Sequence, residues 1–188
     1  MDEQEYTDAD RQIVEETRNW ITKVVIGCHF CPFAAREMIR GSVRFRVEQA
    51  LRTVDCLQAF GEECARLDGD DQVETTLIIF PNAFPDFNDY WGVVGMAEKM
   101  LKKTGHEGVY QVASFHPLYR FAQTRAGDAV NYTNRSPYPM LHLLREKGIW
   151  QALLDYKDPQ KIPERNIQFT REKGADYMQQ LREACFIR

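Results

Sequence analysis

The segment Thr75-Thr76-Leu77-Ile78-Ile79-Phe80, stopped by Pro81, constrains the fold more than any other. It is rich in β-branched residues and shows no polar face. Such a run reads as a central strand buried on both sides, and a strand of that kind needs helices on both faces of its sheet. The chain supplies them. Thr7 is placed to cap a first helix whose apolar stripe is Ile13, Val14, Thr17, Trp20, Ile21, Val24 and Val25, with Gly27 as its stop. Residue 31 precedes a proline, so Cys31 reads as an N-cap and Pro32 as the opening of a short helix. Val43, Phe45 and Val47 alternate with Arg44 and Arg46, which is a half-exposed strand. A helix is expected from about Glu48 to Leu67, another from Asn88 to Lys103, and a third strand from Val109 to Phe115.

The order β-α-β-α-β predicts a single α/β domain, residues 1–188, with a small sheet that is largely parallel or mixed. The N-terminal helix, within residues 1–27, packs onto it. Folding a chain of 188 residues buries about 70% of the surface its unfolded form exposes, so neither metal nor disulfide staples are required. After a long connection from His116 to Arg135, Ser136-Pro137-Tyr138-Pro139 reads as the start of a helix running to Lys147. Trp150 to Tyr156 reads as helical, and a last helical region opens at Lys161 and carries Tyr177, Met178, Leu181 and Cys185.

The net charge of −4 argues against a general nucleic-acid partner, since phosphate-backbone affinity needs a basic surface. No apolar run is long enough to span a bilayer, and Met1 to Glu5 is too acidic for a secretory or transit segment. Five cysteines suit a reduced, cytoplasmic setting better than a disulfide framework. The charge is unevenly spread. Between Asp55 and Glu74, Arg66 faces seven carboxylates; between Gly108 and Arg145, Arg120, Arg125, Arg135 and Arg145 face only Asp128.

Ligands of open α/β sheets sit beyond the carboxyl ends of strands. The third strand delivers His116 there, and the connection behind it brings Asn131, Tyr132, Thr133, Asn134, Arg135 and Ser136. A guanidinium beside free helix-start amides suits a carboxylate or phosphate, so Arg135 and the amides near Ser136 are candidate anion ligands. The competing reading is a hydrogen-bonded cap that ties the loop down. Cys31 at a helix start is a candidate nucleophile with His116 as its base, or an inert buried thiol. Glu164 and Arg165 sit at another helix start and serve either a cleft or a surface ion pair. Cys28 and Cys31 have C-x-x-C spacing, but no second pair completes a zinc site. No nucleotide, hydrolase or zincin signature is present, and no cofactor is implied.

Four segments together carry a resemblance: Cys31-Pro32-Phe33-Ala34; Ser114-Phe115-His116-Pro117 with Phe121-Ala122; Asn131 through Pro139; and Ile162-Pro163-Glu164-Arg165-Asn166. They resemble the bacterial domain of unknown function 1415. The resemblance spans Trp20 to the last helix and implies a soluble single-domain protein. It supplies no activity. It also implies that Cys31 is a motif position and Cys28 is not, which weakens zinc or thiol-redox use of the pair. The functional expectation is a polar, Arg-containing cleft for a small anionic ligand. It is served catalytically by Cys31, His116 and Glu164, with Asn131, Tyr132, Asn134, Arg135, Ser136 and Arg165 binding. The alternatives are a non-catalytic ligand-binding module or a protein-interaction module. Oligomeric state is not legible.

Overall fold

The computed structural model describes residues 6–154 and 156–187; the acidic segment Met1 to Glu5 and part of the expected Trp150–Tyr156 helix lie outside them. Helix α1, Asp8–Trp20, opens with a reciprocal cap in which Asp10 N–H donates to Thr7 Oγ1 and Thr7 N–H donates to Asp10 Oδ2. Its buried stripe of Ile13, Val14, Thr17 and Trp20 continues through a π-helical turn, Ile21–Ile26. That turn closes on Gly27, where a Cβ would lie 2.3 Å from the Lys23 carbonyl oxygen. The next helix, α2 (Ala34–Arg40), starts later than Pro32, with Phe33 rather than Cys31 at its cap.

Strand β1, Val43–Val47, pairs in parallel with β2, Thr75–Ile79, through the crossover helix α3, Thr53–Gly69. The start of α3 is displaced from the expected Glu48 because the chain is still laddered there: Glu48 N–H donates to the Ile79 carbonyl at 2.9 Å. Helix α4, Phe87–Lys103, is capped by the Asp86 carboxylate and leads to β3, Tyr110–Phe115.

The expected helix from Ser136 to Lys147 is instead strand β4, Met140–Arg145, which lies between β2 and β3 and runs antiparallel to both. The sheet order is β1-β2-β4-β3. The sheet is therefore mixed, one of the two forms expected, and β1, β2 and β3 share one direction. The correction has a physical cause. Met140 to Leu144 is apolar apart from His142, and a short run of that kind carries neither the helix period nor the strand period. Helices α5 (Glu146–Leu154), α6 (Ile162–Lys173) and α7 (Ala175–Glu183) complete the chain, with single 3₁₀ turns at Ala129–Thr133 and Pro159–Lys161.

Two cores result. On one face Ile78, Phe80, Leu141 and Leu143 meet Phe60 and Leu67 of α3 and Tyr90, Val94 and Ala97 of α4. On the other, Phe45, Leu77, Ile79 and Met140 meet Trp20, Val24, Met178 and Cys185. Tyr90 ties sheet to helix. Its buried hydroxyl donates to the Met140 carbonyl at 2.7 Å and accepts from Phe115 N–H at 2.9 Å. Replacing Tyr90 by Phe leaves both backbone groups unpaired at the β3–β4 end. Urea denaturation is expected to show a loss of about 2 kcal/mol with an unchanged slope.

Candidate ligand cavity

The strand residues that face α1 do not all reach helix. Near the start of β2, the π-helical turn, α2 and α5 stand apart around a partly open cavity of about 480 Å³. Its sheet wall includes Thr75, Leu77, Ala113, Phe115, His142 and Leu144, which the strand register places on one face. Trp20, Val25, Phe33 and Met38 form the facing wall, and Gly148, Ile149 and Ala152 of α5 close it. Trp20 meets Phe115 edge-on with ring centroids 5.0 Å apart, and Phe115 lies 6.0 Å from the His142 ring.

The polar groups fall into two sets. At the rim, Glu37 accepts from Ser42 Oγ at 2.6 Å and forms ion pairs with Arg36 Nε at 3.1 Å and Arg40 Nη1 at 3.5 Å. Burial raises the Glu74 carboxyl above its usual range, and the nearby Glu37 charge adds to this against Arg145, Arg40 and Arg36. Glu74 packs on Gly148, where a Cβ would come within 1.6 Å of Glu74 Oε1. On the sheet wall, Thr75 Oγ1 lies 2.6 Å from His142 Nε2 and 2.6 Å from the Leu143 carbonyl oxygen. Burial drives the His142 imidazole down to about 4, so it is neutral at pH 7.

Of the candidates read from sequence, Cys31 lines this cavity. Burial raises its thiol pKa, and the Phe33 and Ala34 N–H groups offset that only in part. His116 is placed elsewhere. It is 1% exposed, its Nε2 lies 2.9 Å from the Phe84 carbonyl, and its Nδ1 accepts from Leu118 N–H at 2.9 Å. Both ring nitrogens are occupied by backbone, and His116 does not line the cavity with Cys31. The expected base role is corrected to a structural one.

The block from Asn131 to Ser136 is likewise spent on the chain itself. Asn131 is fully buried, accepts from Phe121 N–H and Thr124 Oγ1, and donates to the Arg125 carbonyl. Asn134 donates to the Ser114 carbonyl. Arg135 donates to the Tyr119 and Ala126 carbonyls and stacks on Tyr132, 4.6 Å from the ring centroid. Ser136 Oγ donates to the Tyr138 carbonyl, and no helix starts there to offer amides. The loop-tying reading replaces the anion site. Arg165 donates to the Tyr156 hydroxyl and the His29 carbonyl, and Asn166 donates to the Phe30 carbonyl, pinning the turn that leads to Cys31. Glu164 stands exposed, with no hydrogen bond or ion pair among the described residues.

Cys28 is buried in the core with its thiol raised to about 11 by desolvation, and all five cysteines are free. Among the described residues no three His, Cys, Asp or Glu side chains gather as metal ligands, and no helix is long and apolar enough to cross a membrane. The helix expected from Ser136 to Lys147 makes His142 a core or boundary residue, whereas on β4 it lines the cavity.

The segments that enclose the cavity fall within residues 12–180, which match the model of a family described as proteins of unknown function, DUF1415. The chain belongs to that family. No curated protein and no solved structure matches it. DUF1415 membership thus covers Trp20, Cys31, His142 and Arg165 alike, and assigns none of them a role.

Two tests follow from the geometry. Cys31 is expected to react slowly with iodoacetamide at pH 7.5, its rate still rising above pH 9, as mass spectrometry of the labelled peptide measures. For His142, the unfolded chain takes up a proton near pH 6.5 while the native ring resists it until about 4. Native stability is therefore full above pH 6.5 and falls as pH drops through that window. His142→Phe is expected to flatten that part of the stability–pH curve, by an amount on the order of 3 kcal/mol.

Proposed function

We propose that this protein binds a small, mostly apolar molecule in the cavity between the sheet and α2, α5 and the π-helical turn. The observation that carries the reading is a partly open cavity of about 480 Å³, walled by Trp20, Phe33, Leu77 and Phe115 and holding one neutral imidazole. Sites for small organic ligands have this size, this apolar lining and few polar groups. The expected anionic ligand keeps a place in this reading, but at other arginines. A carboxylate or phosphate on the outer end of the molecule lies beside Arg36 and Arg40, whose side chains are half exposed at the rim.

Binding without chemistry is favoured over catalysis. The same desolvation that holds His142 neutral keeps the Cys31 thiol protonated, so neither is a ready nucleophile or base at pH 7, and the raised Glu74 carboxyl is packed against Gly148 with no nucleophile shown beside it. Naphthalene is a suitable probe because it fills part of the space and carries no polar group. Calorimetric titration is expected to show saturable one-to-one binding. Ala152→Trp, which places an indole into the cavity from α5, is expected to weaken it by about tenfold or more while thermal unfolding stays cooperative. Equal affinity in the two proteins places the probe elsewhere and sinks this reading.

A further inference from the structure

We propose that the sheet wall of the cavity selects ligands that present a hydrogen-bond donor, a hydroxyl or N–H on an apolar body, to Nδ1 of His142. The inference rests on the reading of the cavity as a ligand site and names the class of molecule that site takes. It follows from where one proton must lie. The Thr75 hydroxyl has a single hydrogen and sits 2.6 Å from the Leu143 carbonyl oxygen, which can only accept. The hydroxyl proton therefore points to Leu143. His142 Nε2, 2.6 Å from the same oxygen, must then supply the N–H of that contact. A neutral imidazole carries one N–H, so the tautomer is fixed and Nδ1 is left with a bare lone pair.

Nothing among the described residues donates to Nδ1. Nor is that nitrogen a sealed, unsatisfied atom, because the ring lines the cavity. Two strong donors of the cavity lining are committed elsewhere. The Trp20 indole N–H donates to the Arg135 carbonyl at 3.0 Å, and Arg145 donates to the carbonyls of Val73, Asp70 and Leu67. The donor that Nδ1 lacks is thus to be brought by the ligand. A group that only accepts, such as an ether or ketone oxygen, sets lone pair against lone pair at this spot. A group with neither leaves the nitrogen dry and unpaired. Sites built to pair with a hydroxyl discriminate strongly against analogues that lack it.

The test compares 2-naphthol, naphthalene and 2-methoxynaphthalene by calorimetric titration at pH 7. The expected order places 2-naphthol about tenfold or more tighter than the other two. In His142→Phe the ratio of 2-naphthol to naphthalene affinity is expected to fall to about one, whatever the variant does to naphthalene itself. Thr75→Val, which keeps side-chain volume and removes the proton anchor, is expected to shrink the advantage without closing the cavity. It serves if the Phe variant does not fold. Nitrogen-15 NMR of the free protein gives a ligand-independent check, with Nε2 expected protonated and Nδ1 bare. Equal affinity for all three compounds overturns the donor preference and leaves the cavity reading standing. Failure of all three to bind overturns both. The opposite tautomer overturns the preference alone.

Discussion

Strand β4 has to satisfy hydrogen bonds along both of its edges, and the rest of the molecule is arranged around that demand. It is the last strand in the chain, yet it fills the slot between β2 and β3, antiparallel to each. Its register decides which side chains face which layer. Leu141 and Leu143 go to the side of α3 and α4, while Met140, His142 and Leu144 go to the side of α1. A slip of one residue would exchange the two sets and drive an imidazole into a core built from Phe60, Phe80 and Tyr90. The Tyr90 hydroxyl, bridging Met140 and Phe115, pins the register at one end, and Arg145 pins it at the other through carbonyls around the end of α3.

With the sheet fixed, the polar motifs shape what lies on it. The block from Asn131 to Ser136 folds the long connection after β3 back on itself, so that Arg135 offers its carbonyl to the Trp20 indole. That bond orients a ring which is at once core and cavity wall. Arg165 and Asn166 work the same way from α6. They fasten the His29–Phe30 turn, and His29 adopts a left-handed backbone with φ of 57°, a conformation an L residue holds only under tertiary restraint. Cys31 and Phe33 follow that turn into the cavity. The motif residues thus shape the cavity mainly by holding the backbone that surrounds it.

Much of the fold was legible in sequence and the site much less so, for separable reasons. Thr75 to Phe80 announced a doubly covered strand because β-branching and continuous burial agree there. The α1 stripe and the alternation at Val43, Phe45 and Val47 were equally plain. Met140 to Leu144 misled because Met and Leu favour helix on their own, and only the open edges of β2 and β3 turn them into a strand. Cys31 lies on the cavity wall, but the helix start at Pro32 that singled it out did not hold, since α2 is capped by Phe33. The Asn131–Ser136 row was misread because a run of hydrogen-bonding side chains looks the same whether its partner is a ligand or a carbonyl from its own loop. The deciding fact is where the Tyr119, Arg125 and Ala126 carbonyls lie, and local sequence does not carry it.

The apolar character of the cavity governs its chemistry as much as its shape. Desolvation penalises charge on any group, so one environment pushes the His142 imidazole down and the Cys31 thiol up. Both changes move away from reactivity at neutral pH and toward uncharged groups with fixed donors and acceptors. An imidazole titrating near 6.5 would sample both tautomers and the cation, and so accept or donate as its occupant required. Held neutral and anchored through Thr75 to Leu143, it can only accept. Under the proposed reading, the walls that admit an apolar molecule are therefore also what give its one polar contact a definite sign.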